Sequence, residues 1–164
     1  PLPPTEAPAG PELVTMAAVT PGVVLETHDS ELVPPVDETK AEASYRAALA
    51  FLKTGQYDQS IEAFNGFLVE YPSSAYADNA QYWLGEAYYV TRDFEPAMRE
   101  YTKLVQAFPQ SQKVEHALLK IGYSQQEMGN LSAAIAQLEE VLNLYPGSSA
   151  ARKAQDRLQQ LRLE

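Results

Sequence analysis

From Thr39 onward the chain has a helical texture: Ala, Leu, Gln, Glu and Tyr dominate, and apolar positions recur at steps of three and four. Thr39-Lys40-Ala41-Glu42 has the Thr-x-x-Glu form of a capping box, which predicts the start of the first helix. Three copies of an aromatic-Pro-x-Ser motif punctuate the pattern: Tyr71-Pro72-Ser73-Ser74, Phe108-Pro109-Gln110-Ser111 and Tyr145-Pro146-Gly147-Ser148, with prolines 37 residues apart. Equal spacing marks an internal repeat. Aligned on those prolines, Ala48, Gly85 and Gly122 coincide in the first helix of each unit, and Ser60, Ala97 and Ala134 in the second. All six are small. The second helices also share a ladder at i, i+3 and i+6: Ile61, Met98 and Ile135, then Phe64, Tyr101 and Leu138, then Phe67, Leu104 and Val141.

Small residues let two antiparallel helices approach closely, while the large ones fill the groove toward the next pair. Gly55 and Gly129 suit the turn between helices, where φ > 0 is least costly for glycine; Arg92 at the equivalent place predicts a slightly different turn in the middle unit. Proline stops each second helix, and the following Ser74, Ser111 or Ser148 is placed to cap the next. Tyr57, Phe94 and Leu131, which open the second helices, read as core, and Trp83 as packing against the preceding hairpin. Ser148 to Leu163 carries Ala151, Ala154, Leu158 and Leu161 on one side and reads as a terminal capping helix. One hairpin cannot bury its stripe alone. The prediction is therefore an all-α solenoid of three helical hairpins plus a C-terminal capping helix, with repeats at about 41–74, 78–111 and 115–148 and the cap at about 148–163.

Composition divides the chain. Eight of the 12 prolines and seven acidic residues against one lysine fall in residues 1–40, so residues 1–38 read as a Pro-rich acidic linker, extended or disordered, ahead of a repeat domain at 39–164. The net charge of −10 argues against a nucleic-acid partner. Zero cysteines exclude disulfides, thiolate metal sites, a cysteine nucleophile and a lipid-modified cysteine on these 164 residues. The chain begins at Pro1, so a missing signal sequence says nothing about compartment. No apolar run is long enough for a membrane-spanning helix. His116 has no neighbouring His or Cys, Glu139 and Glu140 diverge on a helix, and no phosphate loop, nucleophile elbow or calcium loop occurs. The expectation is a binding protein with no cofactor and no metal, not an enzyme.

The middle unit, with Leu84-Gly85, Tyr88, Ala97, Tyr101 and Pro109, resembles tetratricopeptide repeats lengthened by three residues over the usual length of about 34. More narrowly, Asn79 to Glu86, Phe108 to Lys113, Ala117 to Gly122 and Tyr145 to Leu158 resemble the C-terminal domain of the cell-division coordinator family of the Tol-Pal system, the YbgF/CpoB family, over about residues 41–162. Members of that family also carry a signal peptide and an N-terminal coiled coil, absent from these residues, through which oligomers would form. The resemblance implies a right-handed solenoid, a periplasmic location, binding to TolA, and coordination of a penicillin-binding peptidoglycan synthase with outer-membrane constriction at division.

It also implies that set positions of each first helix line a concave groove: Tyr45, Leu49 and Leu52, then Asn79, Tyr82, Glu86 and Tyr89, then Tyr123 and Gln126. Tyrosine combines a large apolar face with a hydroxyl at low entropy cost, as a peptide groove requires, although the same rings equally suit packing between repeats. A chaperone-type clamp for a terminal carboxylate is disfavoured, since Tyr45 and Leu49 stand where it needs Asn and Lys. The alternatives are a self-associating scaffold and another periplasmic repeat adaptor for envelope assembly.

Overall fold

The computed structural model describes residues 35–163; the linker expected over residues 1–38 lies outside them up to residue 34. Seven helices follow one another, with no strand among the described residues: α1 (Glu38–Lys53), α2 (Tyr57–Glu70), α3 (Ala77–Val90), α4 (Phe94–Ala107), α5 (Val114–Glu127), α6 (Leu131–Leu144) and α7 (Ser149–Leu161). Each packs on its sequence neighbours. Additional contacts join α1 to α3 and α5 to α7, so the odd-numbered helices form one layer and the even-numbered ones the other. This is the all-α helical solenoid that the repeat predicts.

The aligned small residues sit where the hairpins close. Ala48, Ser60, Ala97 and Ala134 have no exposed surface, and Gly85 and Gly122 are buried with them. Ser60 differs from its alanine counterparts by a hydroxyl, which donates to the Ala48 carbonyl at 3.0 Å and so remains satisfied in the contact. From the ladder, Phe64, Phe67, Tyr101, Leu104, Leu138 and Val141 are wholly or almost wholly buried, and each such side chain contributes about 1.5–3 kcal/mol. Two clusters result, one around α1–α3 and one from α3 to α7, and half-buried Trp83 and Tyr88 pack against both. Trp83 thus meets the preceding hairpin as expected, and its own as well.

Four local expectations need correction. Helix α1 begins at Glu38, not at a Thr39 cap: the Asp37 carboxylate accepts from the Lys40 amide, a bond that also lowers its pKa. The Arg92 turn matches the others, with φ of 66° beside 77° at Gly55 and 80° at Gly129, so arginine takes the left-handed conformation outright. Tyr57 and Phe94 are half-buried and Leu131 is 49% exposed, so none of the three is core. Phe94 rests edge-on against Tyr89, with ring centroids 5.4 Å apart; the third repeat has Gln126 in that place, which leaves Leu131 without a ring to cover it.

Of the three loop serines, Ser148 caps α7 by accepting from the Ala151 amide, whereas Ser74 and Ser111 tie repeats together. Ser74 Oγ donates to Glu38 Oε2 at 2.8 Å and Ser111 Oγ to Asp78 Oδ2 at 2.5 Å, each reaching back to the opening residues of the preceding odd-numbered helix. At the third joint Ser149 Oγ lies 3.2 Å from His116 Nε2.

Candidate functional site

The positions expected to form a groove fall on the layer of odd-numbered helices, and the structure divides them by depth. Tyr45, Tyr89 and Tyr123 are half-buried, each with part of its ring open. Tyr45 stacks on Tyr76 at 5.1 Å and meets Phe64 and Phe67 at 6.1 Å, while Leu49 and Leu52 lie partly buried beside it. Tyr82 departs from the expectation. It is 9% exposed and belongs to the core, its ring 5.9 Å from that of Tyr101 and 5.5 Å from that of Trp83. Burial, then the Glu86 charge, pushes the Tyr82 and Tyr101 phenols far above their ordinary range. Burial also raises Tyr45, Tyr89 and Tyr123, so all five rings are uncharged at neutral pH.

Polar groups on this face are largely committed. Asn79 turns its side-chain amide to Asp78 at 3.2 Å. Glu86 accepts from the Tyr101 hydroxyl at 2.5 Å and from Lys120 Nζ at 3.0 Å. Gln126 Oε1 accepts from Arg157 Nη1 at 3.0 Å.

The residues missed on this face are Trp83, Lys120 and Arg157, which follow one another at the repeat interval of 37. Each packs back on the preceding odd-numbered helix. Lys120 Nζ lies 4.2 Å from the Tyr89 ring centroid and Arg157 Cζ lies 4.5 Å from that of Tyr123, while Trp83 packs in the cluster that holds Tyr45, Leu49 and Leu52. Cation and ring attract through the ring quadrupole, worth about 0.5–2 kcal/mol depending on burial. Aligning the repeats on their prolines already brings these three residues into register.

No group of three His, Cys, Asp or Glu is arranged to hold a metal ion among the described residues. Ser149, His116 and Glu115 form a chain, with His116 Nδ1 3.5 Å from Glu115 Oε1, and so have the members of a nucleophilic triad. Their place is that of a third loop-to-helix tie in the series begun by Ser74–Glu38 and Ser111–Asp78. A separate hollow of about 510 Å³ lies between α4 and the end of α5, lined in part by Met98, Thr102, Gln125 and Met128.

Comparison with known proteins agrees with the architecture. The family model for YfiO, outer membrane lipoprotein, matches residues 37–163. The cell division coordinator CpoB of Pseudomonas putida is 50% identical over 52 residues, which bears out the resemblance to the coordinator family; that stretch is 32% of this chain and 19% of the relative. Among solved structures, the second tetratricopeptide domain of human RPAP3, in complex with an HSP70 peptide, aligns with a TM-score of 0.61 at 20% identity, over 76% of this chain and 98% of that one. The Yersinia enterocolitica type III secretion chaperone SycD, in complex with a peptide of the translocator YopD, aligns with a TM-score of 0.65 at 15% identity, over 76% and 94%. The likeness to both is one of fold.

Proposed function

The chain belongs to the YfiO outer membrane lipoprotein family, and we propose that it is a non-enzymatic protein-interaction module of the periplasmic Tol-Pal system. In this reading it binds TolA and, with a penicillin-binding peptidoglycan synthase as a second partner, couples peptidoglycan synthesis to outer-membrane constriction at division. The observation that carries it is the row of half-open Tyr45, Tyr89 and Tyr123 rings on the odd-numbered helices, each braced from a neighbouring element and ready to receive another polypeptide. Leu49, Leu52, Asn79, Glu86 and Gln126 complete the binding face, with Tyr82 as its floor. The local identity to a cell division coordinator supports the cellular role.

Calorimetric titration of the purified chain with TolA tests the reading. Saturable binding that weakens at least about tenfold in Tyr89→Ala and Tyr123→Ala supports it; absence of binding, or binding indifferent to both substitutions, overturns it.

One observation favours self-association as a second reading. Ala43, Ala47 and Ala50 of α1 are exposed, although their counterparts Ala80, Leu84 and Ala87 are buried against the preceding repeat. Sedimentation over a wide concentration range decides it: a monomer at the highest concentration removes the scaffold.

A further inference from the structure

The inference that follows rests on the tyrosine-lined face as a protein-binding groove and concerns the chemistry of what it takes. Arg157 on α7 is half-buried, its guanidinium laid over the Tyr123 ring and held by Gln126. Both partners are neutral. Of the five N–H donors of the guanidinium, one finds a protein acceptor, and no carboxylate stands within ion-pair distance among the described residues. Lys113 repeats the condition: its Nζ lies 5.4 Å from the Tyr82 centroid and 5.9 Å from that of Trp83, with no carboxylate in ion-pair distance among the described residues.

The nearby carboxylates make no ion pair with either cation. Glu86 is held by Lys120 and Tyr101, Glu127 by Arg92 at 3.4 Å, and Asp156, adjacent in sequence to Arg157, makes no ion pair with it. A chain with a net charge of −10 thus keeps, among its described residues, two cations without an ion-pair partner beside its aromatic face. A guanidinium already oriented by a ring and an amide loses little freedom when a carboxylate docks on its remaining fork, and partial burial reduces screening by salt.

We propose that this groove takes an acidic segment of its partner, with one Asp or Glu carboxylate seated on Arg157 and another meeting Lys113. The test uses the purified chain and short fluorescent peptides in pairs, each acidic peptide matched by one with Asn for Asp and Gln for Glu. Binding is read by anisotropy, with Tyr89→Ala as the control for the groove itself. The acidic member of each pair is expected to bind about tenfold more tightly, the difference shrinking as salt rises; Arg157→Gln markedly reduces it, Arg157→Gln together with Lys113→Gln removes it, and Arg157→Glu shifts preference to lysine-containing peptides. Should Arg157→Gln melt early, Arg157→Lys serves, keeping charge but losing the fork and retaining a reduced preference. Equal binding of the paired peptides, or a preference undiminished in Arg157→Gln, overturns the acidic specificity and leaves the groove standing. Peptides that fail to bind at all, or that ignore Tyr89→Ala, overturn the groove and the specificity with it.

Discussion

The backbone of Gly85 in α3 lies against the ring of Tyr101 in α4 so closely that a Cβ added there would stand 2.6 Å from Cε1 and 2.8 Å from Cδ1. The ring cannot easily swing away, because its hydroxyl is tied to Glu86. Gly85→Ala is therefore expected to lower stability by about 1–3 kcal/mol through overpacking, read as a shifted denaturant midpoint. At Gly122 the nearest atom is Leu138 Cδ2 at 3.0 Å, the far end of a flexible side chain, so Gly122→Ala costs less. Equal losses at the two glycines contradict the close-approach account.

Arg92 permits the opposite experiment. Its φ of 66° is strained for any side chain, and its exposed contact with Glu127 contributes little. Arg92→Gly is expected to raise stability by about 0.5–1 kcal/mol, whereas Gly55→Ala, with open space around its Cβ but φ of 77°, lowers it by about 1 kcal/mol. Thermal melting of both variants checks the pair.

The aromatic face separates by depth into stability and binding. Tyr82→Ala empties a core position and is expected to cost about 3–5 kcal/mol. Tyr89→Ala removes a half-open ring, with a smaller loss of stability and a larger loss of partner affinity. Comparable melting of the two variants sinks this division.

Alkaline pH is expected to loosen the fold through its phenols. Tyr101 and Tyr82 have pKa values raised from 10.0 by burial first and by Glu86 second, so the folded state favours their neutral forms. That stabilisation is complete below about pH 10 and diminishes above it, where the unfolded chain ionises and the native one resists, by up to about 1.4 kcal/mol per pH unit for each group. Tyr101→Phe should cost about 1–2 kcal/mol at pH 8 through its lost bond to Glu86, yet show a shallower decline between pH 10 and 11.5. An unchanged slope, measured by urea midpoints, refutes the assignment.

What the sequence made legible was whatever the repeat copies. Ala48, Gly85 and Gly122 face Ser60, Ala97 and Ala134 in every unit, so one packing rule read three times yields the solenoid. Departures arise where distant groups decide. Asp37 and Thr39 are equally capable caps, but Ser74, remote in sequence, engages Glu38 and favours the earlier start. Tyr82 was drawn below the face by Tyr101 and Trp83, neighbours that positional counting does not weigh. Lys120 and Arg157 share the register of Trp83, a coincidence obscured because the three side chains differ so much in chemistry.

The clasp between Ser74 and Glu38 also bears on where a minimal fragment can be cut. Ala75 N donates to the same carboxylate, at 3.2 Å, so one acidic side chain at the front of the first hairpin fastens the loop that leads into the second. A truncation opening at Thr39 or Ala41 discards that carboxylate together with the Asp37 cap, and both the first helix and its joint then fray from a single deletion. The shortest stretch that retains both fastenings starts no later than Asp37.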